Sequence, residues 1–403
     1  MTSLAVIEEA ARETAAKVVK TGGKSKNFES RAVEALAETG LAEAIDPSAL
    51  LPALLAAPAS LANSQVASDF SDLQLILHAD AEVEVQLLYW LTATTSVHNH
   101  GFDGAFRVLS GRSIHSCFTF DSVWSDDQGF ALGSLSLAGA ELLEPGDVRP
   151  IRGGFETIHA VYHLGFPSVT LLVATARSQP KAPTFEFRGR SIAVDRSRID
   201  LFTIRQVQAL RLMARTGRPF ADQLAQWALE RGPAAAYWAL RGLDADIARL
   251  PVEALRSLEG ALSADPDFAR VLDAVRREKI LARLVNLRAS VADETARLLL
   301  ALFMNVPDPV AWGPVLRGFF GGAPDAAARV GHGLRVIFED PAWATVSAEA
   351  SRADFAATLA RVLAAQLAGA PAGGELAALA AHPLAEFIGL TATRPNALLG
   401  KAA

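Results

Sequence analysis

A change of period constrains this chain more than any other feature. Between residues 73 and 194 the sequence runs in short β-rich segments, at 73–77, 83–91, 105–109, 114–120, 131–137, 155–162, 168–174 and 184–187. Turn signals separate them, among them Ser125-Asp126-Asp127-Gln128-Gly129 and Glu144-Pro145-Gly146-Asp147. Many short strands at that spacing predict an antiparallel sandwich or barrel. On either side the period is helical. Ile7, Ala11, Ala15 and Val18 recur at helical spacing until Gly22-Gly23, and residues 28–41 and 49–56 repeat the pattern. Past residue 198, Ile204, Val207, Leu210 and Met213 share one face, closed by Gly217 and Pro219. Ala-, Leu- and Arg-rich helical segments follow without a strict repeat, which predicts a helical bundle or an irregular helical-repeat domain. At 403 residues the chain can bury more than one core. The expected class is α+β multidomain: an N-terminal helical segment (1–66), a small antiparallel β-barrel (67–197) and a large C-terminal all-α domain (198–403).

Charge and cysteine usage remove several function classes. A formal net charge of −6 gives no general attraction to nucleic acid or to an anionic membrane surface. The single cysteine, Cys117, cannot form an internal disulfide, so nothing argues for an oxidising compartment. Glu8 and Glu9 stand where a signal peptide would carry its apolar core, and no uninterrupted apolar run reaches the roughly 18–20 residues of a membrane span. The expected location is cytoplasmic, with a small-molecule substrate and no nucleic-acid or membrane partner. The helical C-terminal region could mediate homo-oligomerisation or hold a protein partner.

Histidine is concentrated where the β-rich segment lies. Of eight histidines, six (His78, His98, His100, His115, His159 and His163) fall between residues 78 and 163. His98 and His100, at i and i+2 of an extended segment, project to one side and can share a divalent metal as neutral imidazoles. His163, four residues after His159, reads as a pocket acid/base, a fourth ligand or a structural histidine at a strand end. His115 and Cys117 share a parity on their strand and could line the cavity or sit in the core behind it. Tyr89 and Tyr162 offer hydroxyls near the site, or serve as buried barrel aromatics. Arg107, opposite in parity to Phe106, is expected to point outward.

The order of a β-run, His98-x-His100, Val108-Leu109-Ser110-Gly111, Pro145-Gly146-Asp147 and His159 resembles the two-motif pattern of the cupin superfamily. The branch it is most similar to is the thiol dioxygenases, over residues 70–176, on Leu88-Tyr89-Trp90, Ser96 to His100, Phe106 to Gly111 and Ile158-His159-Ala160-Val161. The resemblance implies a cupin-like barrel with His98, His100 and His159 as metal ligands. It implies Fe(2+) as the metal, whereas affinity alone favours copper or zinc, and nickel or manganese also suit such sites. It implies an enzyme, a mononuclear non-haem iron dioxygenase or oxygenase, with His163, Tyr162 and His115 as candidate catalytic groups. The glutamate ligand of the classical cupin set would fall at Gly104, beside Asp103, so a three-histidine set is expected. The His/Tyr pair of the thiol dioxygenases would fall at Leu172 and Ala174, and their carboxylate-clamping arginine would fall within residues 72–78, which hold none. The implied substrate is therefore a thiol or amino-acid-like molecule other than free cysteine. The same metal could instead serve an isomerase or hydrolase as a Lewis acid, and a non-catalytic binding module with a partner-recruiting helical domain is the further alternative.

Other motifs carry little. Gly22-Gly23-Lys24-Ser25 imitates the end of a phosphate loop, but Val18 holds the position of its first glycine and a helix precedes it. Arg276-Arg277-Glu278-Lys279, with Arg283 and Arg288, is interspersed with acidic residues and reads as a solvated helix face.

Overall fold

The structure is a computed structural model that describes residues 4–20, 27–38, 45–55, 65, 70–91, 96–126, 129–165, 167–177, 180–198, 200–217, 220–343 and 349–389. The Gly22-Gly23-Lys24-Ser25 segment lies outside the described residues. By contacts the chain forms two compact units: Met1–Phe118 with Gly139–Thr184, and Thr119–Ala138 with Phe185–Ala403.

In the first unit, helices α1 (Leu4–Lys20), α2 (Phe28–Glu38) and α3 (Pro47–Leu55) accompany a five-stranded sheet. Its order is β1 (Leu73–Ala79), β2 (Val83–Trp90), β9 (Ser168–Thr175), β4 (Gly104–Ser110) and β7 (Val148–Ile151). Strand β2 is buried along its whole length, because both of its faces are covered. Val83, Val85, Leu87 and Tyr89 join Ile7, Ala11, Val18, Ala32 and Leu36 of the helices in one core. Leu88 and Trp90, of the other parity, join Phe106, Ile151, Val161 and Leu172 in a second. Arg107 points to the outer face of the sheet, as its parity suggested, and is half-buried there. That face is covered by α2, and the Arg107 Nη1 donates to the Leu36 carbonyl at 2.8 Å.

The second sheet is a closed barrel in the order β10 (Glu186–Arg188), β11 (Ile192–Val194), β6 (Phe130–Leu143), β5 (Ser113–Ser125), β8 (Gly154–His163) and β3 (His98–His100). The Glu144-Pro145-Gly146-Asp147 signal becomes the turn from β6 to β7. Asp147 N donates to the Glu144 carbonyl at 3.0 Å, and Gly146 takes a φ of 101°, which a side chain would resist.

In the second unit, Phe130, Leu132, Ile192 and Val194 share a core with α4 (Leu201–Arg215), α5 (Ala221–Arg231), α6 (Pro233–Gly242), α7 (Asp244–Ile247), α8 (Val252–Ser263) and α9 (Pro266–Ser290). Helices α10 (Glu294–Asn305), α11 (Trp312–Phe320), α12 (Ala326–Phe338), α13 (Glu349–Leu367) and α14 (Gly373–Ala381) follow. The basic run of α9 is not the solvated face that its charge pattern suggested. Arg277 pairs with Asp273 at 2.8 Å, Arg276 with Glu386 and Lys279 with Asp244, and Arg288 is buried, because neighbouring segments pack against this 25-residue helix. No helix among the described residues is long and apolar enough to cross a membrane.

Candidate metal centre

Strand β3 is three residues long and carries His98 and His100 on the same side. Asn99 turns the other way and donates from Nδ2 to the Pro183 carbonyl at 3.3 Å. The antiparallel pairing of β3 with β8 sets His98 opposite His159. The three rings form a nearly equilateral triangle, with centroid separations of 4.7 Å (His98–His100), 5.0 Å (His98–His159) and 4.9 Å (His100–His159). One nitrogen of each lies within 4.8 Å of the other two, and all three residues are buried.

The donor chemistry fits a metal ion. The Nε2 atoms of His100 and His159 stand 2.8 Å apart, close to the ~3 Å separating adjacent nitrogens that each sit about 2.1 Å from one ion. His98 Nδ1 is 2.7 Å from the Ser96 carbonyl, which can only accept, so the proton sits on Nδ1 and the lone pair on Nε2. Burial, with His98 nearby, holds His100 well below the usual imidazole range; burial together with His100, His98 and His115 does the same for His159. Both therefore offer the neutral imidazole that ligates.

Among the described residues the group of candidate ligands contains no carboxylate. Asp103 is engaged elsewhere, accepting from Gly153 N at 2.8 Å and Lys181 Nζ at 2.9 Å. A Cβ at Gly104 would stand 2.4 Å from the Val173 carbonyl oxygen, so the close pairing of β4 with β9 leaves no room for a ligating side chain there.

A pocket of about 40 Å³ opens beside the three imidazoles. Trp90, Phe106, Ile151, Val161 and Leu172 make its wall apolar, and no Lys, Arg, Asp or Glu occurs among its described lining residues. His163 lies in this wall, its ring stacked on Trp90 at 4.5 Å and 17°, with Nδ1 3.0 Å from Ser113 Oγ. Trp90 in turn donates from Nε1 to Thr170 Oγ1 at 3.0 Å. Phe70, 42 % exposed, meets both Trp90 and His98 edge to face at 5.3 and 5.5 Å.

The remaining expected residues separate into near and far. His115 stands directly behind the three imidazoles: its Nε2 is 2.9 Å from His159 Nδ1, its Nδ1 is 3.0 Å from Glu141 Oε1, and Cys117 Sγ is 3.7 Å from its Nε2. Burial disfavours the charged form of His115, but its hydrogen bonds to Cys117 and Glu141 outweigh burial and raise it to about 8. Tyr162 has the opposite parity on β8 and is buried away from the described pocket lining. Tyr89 also faces away, donating to the Pro47 carbonyl at 2.9 Å. His78 pairs with Asp80 at 2.9 Å, outside the cluster. Sequence reasoning missed Phe70, Glu141 and Arg149. Glu141 and Arg149 carried no signal, because an isolated carboxylate and guanidinium in alternating strands look like solvent-facing residues.

No protein family profile matches the sequence, and no curated protein does. Solved structures do. The chain is similar to a cupin superfamily protein from Desulfitobacterium hafniense (19 % identity over 30 % of this chain and 91 % of that one, TM-score 0.19). It is similar to a hydroquinone 1,2-dioxygenase from Sphingomonas sp. TTNP3 (14 %, 29 % and 70 %, TM-score 0.22) and to a DMSP lyase from Ruegeria pomeroyi (18 %, 34 % and 71 %, TM-score 0.21).

Proposed function

We propose that this chain is a cupin-type mononuclear non-haem iron oxygenase, with His98, His100 and His159 as ligands. The observation that carries the reading is the buried triangle of three imidazoles at the edge of an apolar pocket. A neutral facial set leaves several coordination positions free, and in the protein interior it suits redox metals as well as zinc. Iron(II) held there supplies the dioxygen chemistry that side chains lack.

The chain's own residues supply the rest. Trp90, Phe106 and Leu172 exclude water and seat an apolar body beside the ligands. His163, held flat against Trp90 and hydrogen-bonded to Ser113, is the titratable residue outside the three imidazoles among the described lining residues and is assigned the proton transfers with substrate. Without a cationic side chain among the described lining residues, nothing there clamps a substrate carboxylate. The pocket therefore favours an uncharged thiol or an aromatic molecule over an amino acid.

Metal analysis of the full chain purified without added metal, then oxygen uptake after anaerobic iron(II) loading, tests the reading. Near-stoichiometric metal and uptake with uncharged thiols or phenols, but not with free cysteine, are expected. Stoichiometric zinc with no uptake after iron loading would replace the oxygenase with a Lewis-acid hydrolase or isomerase. Absence of metal would leave a non-catalytic binding module.

A further inference from the structure

We propose that Glu141 and Arg149 position the metal ligand His159 through His115, as a relay that fixes which nitrogen of each imidazole carries the proton. The inference rests on His159 being a ligand, and it assigns a role to two residues that touch neither the ligands nor the pocket.

The relay is defined at every link. Arg149 meets Glu141 with a two-pronged contact, Nε to Oε1 at 2.8 Å and Nη2 to Oε2 at 2.6 Å, which pins the carboxylate in one orientation. Glu141 Oε1 then accepts from His115 Nδ1 at 3.0 Å. In its neutral form, the form present at the alkaline pH of the test below, His115 keeps its proton on Nδ1 toward Glu141 and has its lone pair on Nε2, 2.9 Å from His159 Nδ1. His159 fits that partner in one tautomer, with Nδ1 donating and the Nε2 lone pair turned toward the Nε2 of His100. That is the tautomer a ligand needs. Were the proton on Nε2 instead, His159 would present a donor to the metal.

A partner behind a ligating imidazole also makes it more basic and stops its ring from rotating, and loss of such partners commonly weakens metal binding about 10–100-fold. The strand register brings the parts together. Cys117 stands opposite His159 and His115 opposite Val161, so positions 115 and 117 of β5 face the same side as the ligand on β8. Glu141 lies on β6, the other neighbour of β5 in the barrel.

Zinc affinity by chelator competition, together with imidazole ¹⁵N spectra of the metal-free protein near pH 9.5, where imidazoles are neutral, tests the relay in the full chain. His115→Leu and Glu141→Ala are expected to weaken zinc by about 10–100-fold. His115→Gln, whose side-chain carbonyl can accept from His159 Nδ1, is expected to stay within a few fold of the parent. In the spectra His159 carries its proton on Nδ1 in the parent and loses that preference in His115→Leu. Parental affinity in His115→Leu, or a His159 tautomer indifferent to both substitutions, overturns the relay. Should His115→Leu fail to fold, Glu141→Ala decides alone, since the Glu141 side chain is 41 % exposed and tolerates truncation. A parent that binds no zinc defeats the ligand reading instead, while the tautomers still decide the relay.

Discussion

The two compact units bury polar atoms for different ends. In the first, His98, His100, His159 and His163 converge on one pocket, with His115 behind them and Ser113 and Thr170 holding the wall. In the second, a buried charge such as Asp246, whose side chain is 4 % exposed, is answered locally by Arg215 at 3.2 Å and by Arg211 and Arg249 at 3.7 Å. Those arginines extend to solvent, so the group closes on itself and holds helices. The imidazoles of the first unit instead answer one another, His100 Nε2 with His159 Nε2 at 2.8 Å and His159 Nδ1 with His115 Nε2 at 2.9 Å. Each neutral ring keeps a lone pair whose burial is costly without a donor or a cation. Buried polarity thus reads as a scaffold where charges close locally and as a candidate site where nitrogen donors converge on one pocket.

A crossed pair of substitutions is the strongest way to break this contrast. His98→Ala or His100→Ala is expected to lower metal affinity by more than about 100-fold, beyond what loss of a supporting partner does, while leaving the melting temperature of the metal-free chain near that of the parent. Leu258→Ala, in the core of the second unit and 1 % exposed, is expected to lower stability by about 2–5 kcal/mol with one metal per chain retained at low temperature. Metal content and thermal unfolding measured on the same samples check both. A ligand variant that unfolds, or one that keeps its metal, would remove the distinction.

Thr170→Val sharpens it on a smaller scale. The change keeps the shape of the side chain but takes away the acceptor of the buried Trp90 Nε1, so a loss of about 1–3 kcal/mol is expected. Trp90 also supports the His163 ring. Turnover should therefore fall more than metal affinity, and equal losses of both would place Thr170 in general packing.

Much of the barrel, and the side shared by His98 and His100, was legible in the sequence because both rest on local rules, whereas His159 joined that group only through the resemblance. Period-2 segments and the Pro145-Gly146 turn mark strands by themselves, and the i, i+2 spacing of His98 and His100 fixes their common side. Strands β3, β7 and β11, at three to four residues, fall below what a pattern resolves. Strand β2 alternates apolar and polar over Val83-Glu84-Val85-Gln86-Leu87, the pattern of a strand with one solvated face, yet it is buried on both, and nothing in it tells that α1 and α2 supply the cover. Linear boundaries likewise cannot show that residues 119–138 group with the helical unit, since β5 and β6 run through both. Glu141 was out of reach for a different reason. It lies 26 residues from His115, and only the β5–β6 register makes them neighbours.

The smallest expected effect separates Glu141 as a charge from Glu141 as a spacer. Hydrogen bonds from Arg149, then from His115, hold its carboxyl at about 2 in the folded chain, against an ordinary value of 4.5. A carboxyl depressed by folding stabilises the native state above its unfolded pKa, and that stability drains away as pH falls through the folded value. His115, raised by folding, contributes fully below its ordinary value of 6.5, so on the acid side its share is constant and Glu141 alone varies. The difference in melting temperature between the parent and Glu141→Gln is therefore expected to be level from about pH 5 to 6.5 and to shrink steadily toward pH 2. Thermal scans of both proteins across that range measure it. A difference that stays flat to pH 2 would mean that Gln replaces every contact the carboxylate makes, and that the pair with Arg149 orders the first unit without contributing charge.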